Sequence, residues 1–131
     1  MAFQVEFVSP ESLLYSGEAT QVVARTRGGG EIAFLEGHEP FIGSLETCEV
    51  RVTEESESVA KFAVRGGFVS VAGKKVTVLS DDALPAADID VSQAREDLST
   101  ATASVDSDEE NDEAKADKKW AEVRLSVVGE E

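Results

Sequence analysis

Residues 68–80 read FVSVAGKKVTVLS, two short runs of alternating apolar and polar residues joined by Gly73 and Lys74. Alternation with a period of two is typical of a strand that is buried on one face only. A two-residue connection that contains glycine favours a tight β-hairpin. The segment therefore predicts two antiparallel strands, at 68–72 and 75–79, and with them a fold that is built on β-sheet.

The chain before this hairpin contains further runs of the same kind. Phe3, Val5 and Phe7 alternate with residues of the opposite face, and runs rich in β-branched residues follow at 19–25, 31–35, 48–53 and 59–64. Glycine-rich or polar turns separate these runs, and no helical pattern lies between them. Short strands at this spacing predict an antiparallel β-sandwich or flattened barrel over residues 1–85.

The pattern changes to helical steps after Pro85. Asp90 and Gln93 have the spacing of an N-cap and its N3 partner, and Ser107 and Glu110 repeat that spacing. Apolar residues at steps of three and four follow each cap. We therefore predict helices at about 90–104 and 107–128, which form an antiparallel hairpin over residues 86–131 that is stable only when docked. The fold class is mostly β with C-terminal α, an N-terminal antiparallel β-sandwich followed by an antiparallel two-helix hairpin.

The charge is strongly acidic, with 12 Lys and Arg against 27 Asp and Glu and a formal net charge of −15. Such a chain repels nucleic acid and anionic lipid, so neither is expected as a partner. Solubility, salt adaptation and a regulated acidic tail all remain open as reasons for the excess. We expect no membrane span, because no run of about 18 apolar residues occurs, and no secretory signal. The single cysteine, Cys48, is expected in the core.

No catalytic constellation is apparent. His38 is the only histidine, and Cys48 is not near enough in sequence to suggest a shared metal. The glycines at 28–30 lack the Lys-Ser/Thr pair and the helix of a phosphate-binding loop. The many carboxylates are interpreted as solvated surface. We expect no catalytic residue, no metal and no cofactor.

Three segments, in this order and spacing, resemble the epsilon subunit of bacterial and chloroplast F-type ATP synthases. They are VEFVSPE at 5–11 with YSGE at 15–18, GEIAFLEGHEP at 30–40, and GGFVSV at 66–71 with VTVLSD at 76–81. The chain departs from the family pattern in the second segment. Ala33, Glu36 and Glu39 stand where the family has glycine, proline and alanine, which predicts a looser and more acidic turn.

This resemblance implies a non-catalytic rotor subunit of a proton-translocating synthase. The β-sandwich would pack on the gamma subunit and rest on the c-ring, at the cytoplasmic face of the inner or plasma membrane or the stromal face of a thylakoid. The membrane would be touched only through the complex. By the same resemblance, Gly30, Glu31 and Ile32 match the turn that meets the c-ring, and His38 matches a residue near gamma.

The resemblance also implies a regulatory hairpin. In the family, the hairpin can extend toward the catalytic alpha/beta head and inhibit ATP hydrolysis through basic residues of its second helix. The matching candidates here are Lys115, Lys118, Lys119 and Arg124. Solvated pairing at i,i+4, such as Lys118 with Glu122, is the other reading of these residues. Trp120 is either a partner anchor or the large core residue of the hairpin.

Some members of the family bind ATP through Ile/Leu-Asp-x-x-Arg-Ala at the first helix. Ile89, Asp90 and Ala94 match this motif, but Gln93 stands at the arginine position. Arg95 lies two residues on, about 200° away around the helix, so no nucleotide cofactor is expected. Two alternative functions stay open: a free-standing acidic protein-binding module, and a nucleotide-sensing regulator that acts through the hairpin.

Overall fold

The computed structural model describes residues 2–35, 37 and 39–129, and the elements below belong to that part of the chain. The strands are β1 Phe3–Val8, β2 Leu13–Thr26, β3 Gly30–Leu35, β4 Phe41–Glu54, β5 Val59–Ala72, β6 Lys75–Leu79 and β7 Ala83–Pro85. A 3-10 turn at Ala86–Asp88 leads to two helices, α1 Val91–Ser107 and α2 Asp112–Val127. The predicted fold class, a β-sandwich or flattened barrel followed by two helices, is confirmed.

Five strands close into a ring in the order β1-β6-β5-β4-β2, because β2 also pairs with β1. β3 adds to β2, and β7 adds to β5. The pairing is antiparallel except between β1 and β6, where Val5 lies opposite Val76 in a parallel register. The expectation of a wholly antiparallel sheet is therefore wrong at this one pair. Closing the ring gives β1 and β6 a partner on each side and leaves neither as an open edge.

Strands β2, β4 and β5 are longer than the sequence pattern predicted, at 14 residues each. β5 runs through Gly66 and Gly67, which hold φ values of +68° and +117°. Glycine tolerates this backbone geometry and lets a strand bend without ending. The first part of β5 therefore pairs with β7 and the second part with β6, while β4 accompanies both. The runs predicted at 59–64 and 68–72 are one bent strand.

The core of the barrel is built from the inward residues of these strands. Phe7, Tyr15 and Phe62 form an aromatic cluster with ring centroids 4.4–5.7 Å apart, a spacing that favours tilted and edge contacts. Cys48 is 6% exposed in the same core, as predicted. Burial raises the pKa of its thiol above the ordinary value, so the residue behaves as a small apolar side chain.

A second, smaller core joins the helical hairpin to the barrel. Trp120, Val123 and Val127 of α2 pack with Ile89 and with Ala63 of β5. α2 lies against β4 and β5, whereas α1 packs on α2. Trp120 is only 8% exposed, so in this structure it is the large core residue of the hairpin rather than a solvent-facing anchor.

The cap of the first helix is confirmed in part. The Asp90 Oδ1 atom accepts a hydrogen bond from the Gln93 backbone N–H at 3.0 Å. The Gln93 side chain donates instead to Asp97 Oδ1 at 2.8 Å, so the reciprocal half of the capping box does not form. α1 continues past the predicted end at 104, to Ser107.

The predicted cap of the second helix is wrong. Ser107 is the last residue of α1, and its hydroxyl donates to the carbonyl of Ala103 at 3.1 Å, so it is satisfied by the preceding turn. The true N-cap is Asn111, whose Oδ1 atom accepts from the Ala114 N–H at 3.0 Å. α2 therefore begins at Asp112 rather than at Ser107.

Neither helix in the described part of the chain is both long enough and apolar enough to cross a bilayer.

Candidate functional site

The glycine turn between β2 and β3 is a well-defined feature of the barrel surface. Gly28 and Gly30 have φ values of +78° and +70°, which L side chains rarely adopt. The Thr26 hydroxyl donates to the Gly30 carbonyl at 3.2 Å. The Arg27 N–H donates to the carbonyl of Ser44 at 2.9 Å. The turn is thus closed by its own side chain and fastened to β4.

Glu31, which the resemblance assigns to the turn that meets the c-ring, is shared between two arginines. Its carboxylate lies 3.3 Å from an Arg51 nitrogen and 4.0 Å from an Arg25 nitrogen. The Glu31 side chain is 49% exposed, and ion pairs this open contribute little to stability. Glu31 is therefore oriented by the two arginines and still accessible to a partner.

The other predicted residues of this interface have different positions. Ile32 points inward and packs, half-buried, against the barrel core. Gly30 is half-buried at the start of β3. His38 lies outside the described residues. The structure therefore brings Gly30 and Glu31 to one surface and gives Ile32 a packing role.

An exposed band of apolar side chains crosses the outer face of the barrel, and sequence reasoning missed it. We call this the apolar stripe, and its most exposed members are Leu13 (57%), Ile42 (78%), Phe68 (53%) and Leu79 (45%). Phe68 lies opposite Leu79, and Val8 lies opposite both Leu79 and Leu13. Residues paired across strands project from the same face of a sheet. The stripe is therefore continuous across β2, β1, β6 and β5.

The apolar stripe also reaches β4 and the glycine turn. Ser44 of β4 lies opposite Phe68, and Ile42 is two residues before Ser44 on the same face. The Ser44 carbonyl is the group that holds Arg27 of the turn. The sequence contained a signal for the stripe. In the alternating pattern of the hairpin, the apolar residues Phe68 and Leu79 fall on the same face as the polar residues Ser70 and Thr77, which is the outer face.

The four basic residues predicted for the hairpin do not form one surface. Lys115 is exposed, and Lys118 is half-buried. Lys119 faces an open cleft of about 370 Å³ between α2 and the strands, together with Arg25 and Arg51. Arg124 is only 9% exposed. In this docked hairpin, the lysines are accessible and the arginine is not.

Arg124 is held at the centre of the hairpin by three contacts. One terminal nitrogen donates to Asp97 Oδ2 at 2.9 Å, and its Nε donates to the Trp120 carbonyl at 3.4 Å. The guanidinium carbon lies 5.2 Å from the Trp120 ring centroid, within the range of a cation–π contact. Arg124 therefore fastens α1 to α2.

The environment of Asp97 favours its charged form. The hydrogen bond from the Gln93 side chain, and then that from Arg124, lower the pKa of its carboxyl below the ordinary value. A carboxyl with a depressed folded-state pKa stabilises the fold above its unfolded pKa, and that stability is lost as the pH falls through the folded pKa. The pair with Arg124 is therefore intact at neutral pH.

A second ion pair joins the hairpin to the barrel. An Arg65 nitrogen of β5 lies 2.6 Å from Asp117 Oδ1 of α2. Arg65 and Arg124 both line a cleft of about 400 Å³ between the helices and β5. Each arginine in this cleft thus has a carboxylate of the chain itself as its partner.

The residues that match the nucleotide motif all have structural roles. Ile89 is 8% exposed in the hairpin core, and Ala94 is fully buried. One carboxylate oxygen of Asp90 is used by the helix cap. Whether any of them binds a nucleotide stays a prediction. In the described ranges, no group of three or more His, Cys, Asp or Glu side chains is placed to hold a metal ion.

Comparison with known proteins gives a consistent family. Residues 2–86 match the family model for the ATP synthase Delta/Epsilon chain beta-sandwich domain. The ATP synthase epsilon chain of Streptomyces avermitilis is 40% identical over 125 residues, which cover 95% of this chain and 93% of that protein. That of Brevibacillus brevis is 44% identical over 91 residues, which cover 70% of this chain and 68% of that protein.

A solved structure supports the fold. A chain of the Euglena gracilis mitochondrial ATP synthase, in a structure of its OSCP/F1/c-ring, aligns with a TM-score of 0.73 and 22% identity, over 98% of this chain and 78% of that one. At this identity the likeness concerns the fold alone. The sequence relatives extend over both the barrel and the hairpin. The chain therefore belongs to the ATP synthase epsilon chain family.

Proposed function

We propose that this chain is the non-catalytic rotor subunit that couples the gamma shaft to the c-ring of a proton-translocating ATP synthase. It would lie at the cytoplasmic face of the membrane and reach the membrane only through the complex. The observation that carries the proposal is the apolar stripe on a barrel of the epsilon family. A stripe of this kind on a folded domain marks a protein-binding surface.

The stripe fits a broad protein surface better than an added strand. Phe68 and Leu79 project outward from parts of β5 and β6 that have a paired strand on each side, so an incoming chain cannot extend the sheet at these two residues. Ile42, at 78% exposure, and Phe68, at 53% exposure, are two large apolar side chains of the stripe that are available to a partner. Burying such side chains contributes about 25 cal/mol per Å² of apolar surface. We assign this face to gamma.

The glycine turn is the surface that we assign to the c-ring. A Cβ added at Gly28 or Gly30 would meet no heavy atom within 4 Å, so a partner backbone can approach the turn closely. Glu31 adds a half-exposed carboxylate that Arg25 and Arg51 hold in place. Because the turn is fastened to β4 beside the stripe, one rigid body would contact both gamma and the ring.

The hairpin would regulate the alpha/beta head when it extends. Lys115 and Lys119 are exposed in the docked state, whereas Arg124 is engaged with Asp97. Only a released hairpin would present all of its basic residues to an acidic surface. The subunit would act by this contact and by coupling, without catalytic residues of its own.

Binding to the purified cognate gamma subunit tests the proposal. We expect wild-type chain to bind, and Ile42→Asp and Phe68→Asp each to weaken the affinity at least about tenfold, the cost of losing a central apolar contact. Val59→Asp is the matched control, since Val59 is 51% exposed at the other end of β5 and should leave binding unchanged. Isothermal titration calorimetry gives the affinities of the wild-type chain and of all three variants.

Two outcomes would contradict the proposal. Absence of binding by the wild-type chain would favour a free-standing acidic binding module instead. Equal weakening by Val59→Asp and the two stripe variants would mean that the stripe is not the surface that binds gamma.

A further inference from the structure

The outer helix of the hairpin, α1, has little apolar packing of its own. Its fully buried residues are Ala94 and Ala101, and two alanines bury little surface. Its larger apolar residues, Val91, Leu98 and Val105, are only half-buried. α2 carries the contact with β4 and β5, and α1 packs on α2. Apolar contact therefore accounts for the docking of α2 much better than for the docking of α1.

An ion pair between the helices adds to the weak apolar contact of α1. The Arg124 side chain is 11% exposed, and its partner Asp97 comes from α1. A guanidinium this buried needs a carboxylate, since removing one partner of a buried pair leaves an uncompensated charge. Arg124 regains water only if α1 moves away or α2 leaves the barrel.

The second ion pair, between Arg65 and Asp117, joins α2 to the barrel. Arg65 belongs to β5, immediately before the bend at Gly66, and its backbone N–H donates to the Asp82 carbonyl at 2.8 Å. Its side chain reaches Asp117 on the first half of α2 at 2.6 Å. The barrel, α2 and α1 are thus joined in series by two arginine–aspartate pairs that line one cleft.

We propose that the Asp97–Arg124 and Asp117–Arg65 pairs form an ionic latch that holds the hairpin on the barrel and withholds Arg124 from every other carboxylate. The latch needs no ligand, because the chain supplies both acidic partners. It is a property of the chain alone and does not depend on which complex the chain joins. When the latch opens, Arg124 becomes a free guanidinium suited to an acidic protein surface.

Hydrogen–deuterium exchange of the full chain tests the latch. We expect Asp97→Asn to accelerate exchange of the α1 amides by about tenfold, in line with a lost charge-assisted hydrogen bond. Asp117→Asn should accelerate exchange in both helices, but by less than Asp97→Asn accelerates exchange in α1, because Arg65 and Asp117 are 34% and 47% exposed. Asp106→Asn, at an exposed position of α1 that does not line this cleft, removes the same charge and should leave exchange unchanged. Amides of β1 and β6 should be protected equally in all variants, which separates hairpin release from global unfolding.

A double-variant cycle separates a specific pair from a general loss of helix stability. If Asp97 and Arg124 act together, Asp97→Asn combined with Arg124→Gln should accelerate exchange at least about threefold less than the product of the two single effects. If the effects multiply fully, or if Asp97→Asn behaves like Asp106→Asn, the latch does not exist.

Discussion

Gly67→Ala is expected to lower the free energy of unfolding by at least about 3 kcal/mol, a large share of the stability of a small domain. Gly67 has a φ of +117°, a region that alanine occupies only under strain. An added Cβ would lie 2.1 Å from the carbonyl oxygen of Leu79. That atom belongs to the backbone of β6, so no side-chain rotation relieves the overlap, and β5 and β6 must separate.

Urea unfolding followed by circular dichroism measures this loss. Gly73→Ala is the matched control, because Gly73 also has a positive φ, +60°, but a Cβ added there would meet no heavy atom within 4 Å. It should cost only about 1 kcal/mol, the usual penalty for a left-handed residue. Equal losses in the two variants would show that the close approach to Leu79 does not determine the strand bend.

Trp120→Ala is expected to undock the hairpin while the barrel stays folded. Truncating a buried tryptophan costs about 3–5 kcal/mol where the surroundings cannot collapse. Trp120 also supplies the ring under Arg124 and packs on Ala63 of β5. The expected result is a loss of helical signal at 222 nm with retained protection of the β1 and β6 amides.

Trp120→Phe is the conservative control for this variant. It keeps an aromatic ring against Ala63 and should retain most of the helical signal. In the wild-type chain, Trp120 is the only tryptophan, so its fluorescence reports docking directly. A Trp120→Ala protein with wild-type helix content would mean that the hairpin is held by contacts other than this core.

The barrel could be predicted from sequence because alternation is a local property of the chain. Its closure could not, since the parallel pairing of β1 with β6 joins residues far apart in sequence and has no local signature. Gly66 and Gly67 favour a break between strands in the sequence pattern, because glycine usually ends regular structure. In the folded chain the pairing with β4 overrides that tendency, and the strand bends instead of ending.

The helix caps show a different limit of prediction from sequence, which concerns where a helix begins. Ser107 and Asn111 are both good N-cap residues, and the sequence alone does not decide between them. The choice depends on whether α1 extends as far as Ser107. It does, and the Ser107 hydroxyl donates a hydrogen bond to the carbonyl of Ala103 in the same helix. Element boundaries are therefore fixed by competition between neighbouring elements.

The candidate site was predicted in part. The glycine turn and Glu31 could be identified from the family resemblance, but the arginines that orient Glu31 come from β2 and β4 and meet it only in the folded sheet. The burial of Arg124 could likewise not be predicted from the sequence, because its partner Asp97 lies on the other helix. The apolar stripe could be recognised as continuous only once the registers of several neighbouring strands were known.

The rotor role of this chain can be tested on the intact ATP synthase isolated from the source cells. Cryo-electron microscopy of that complex is expected to show this chain on the central stalk, with Ile42 and Phe68 against gamma and the glycine turn at residues 28–30 against the c-ring. An assembled and active synthase that lacks this chain would contradict the rotor role.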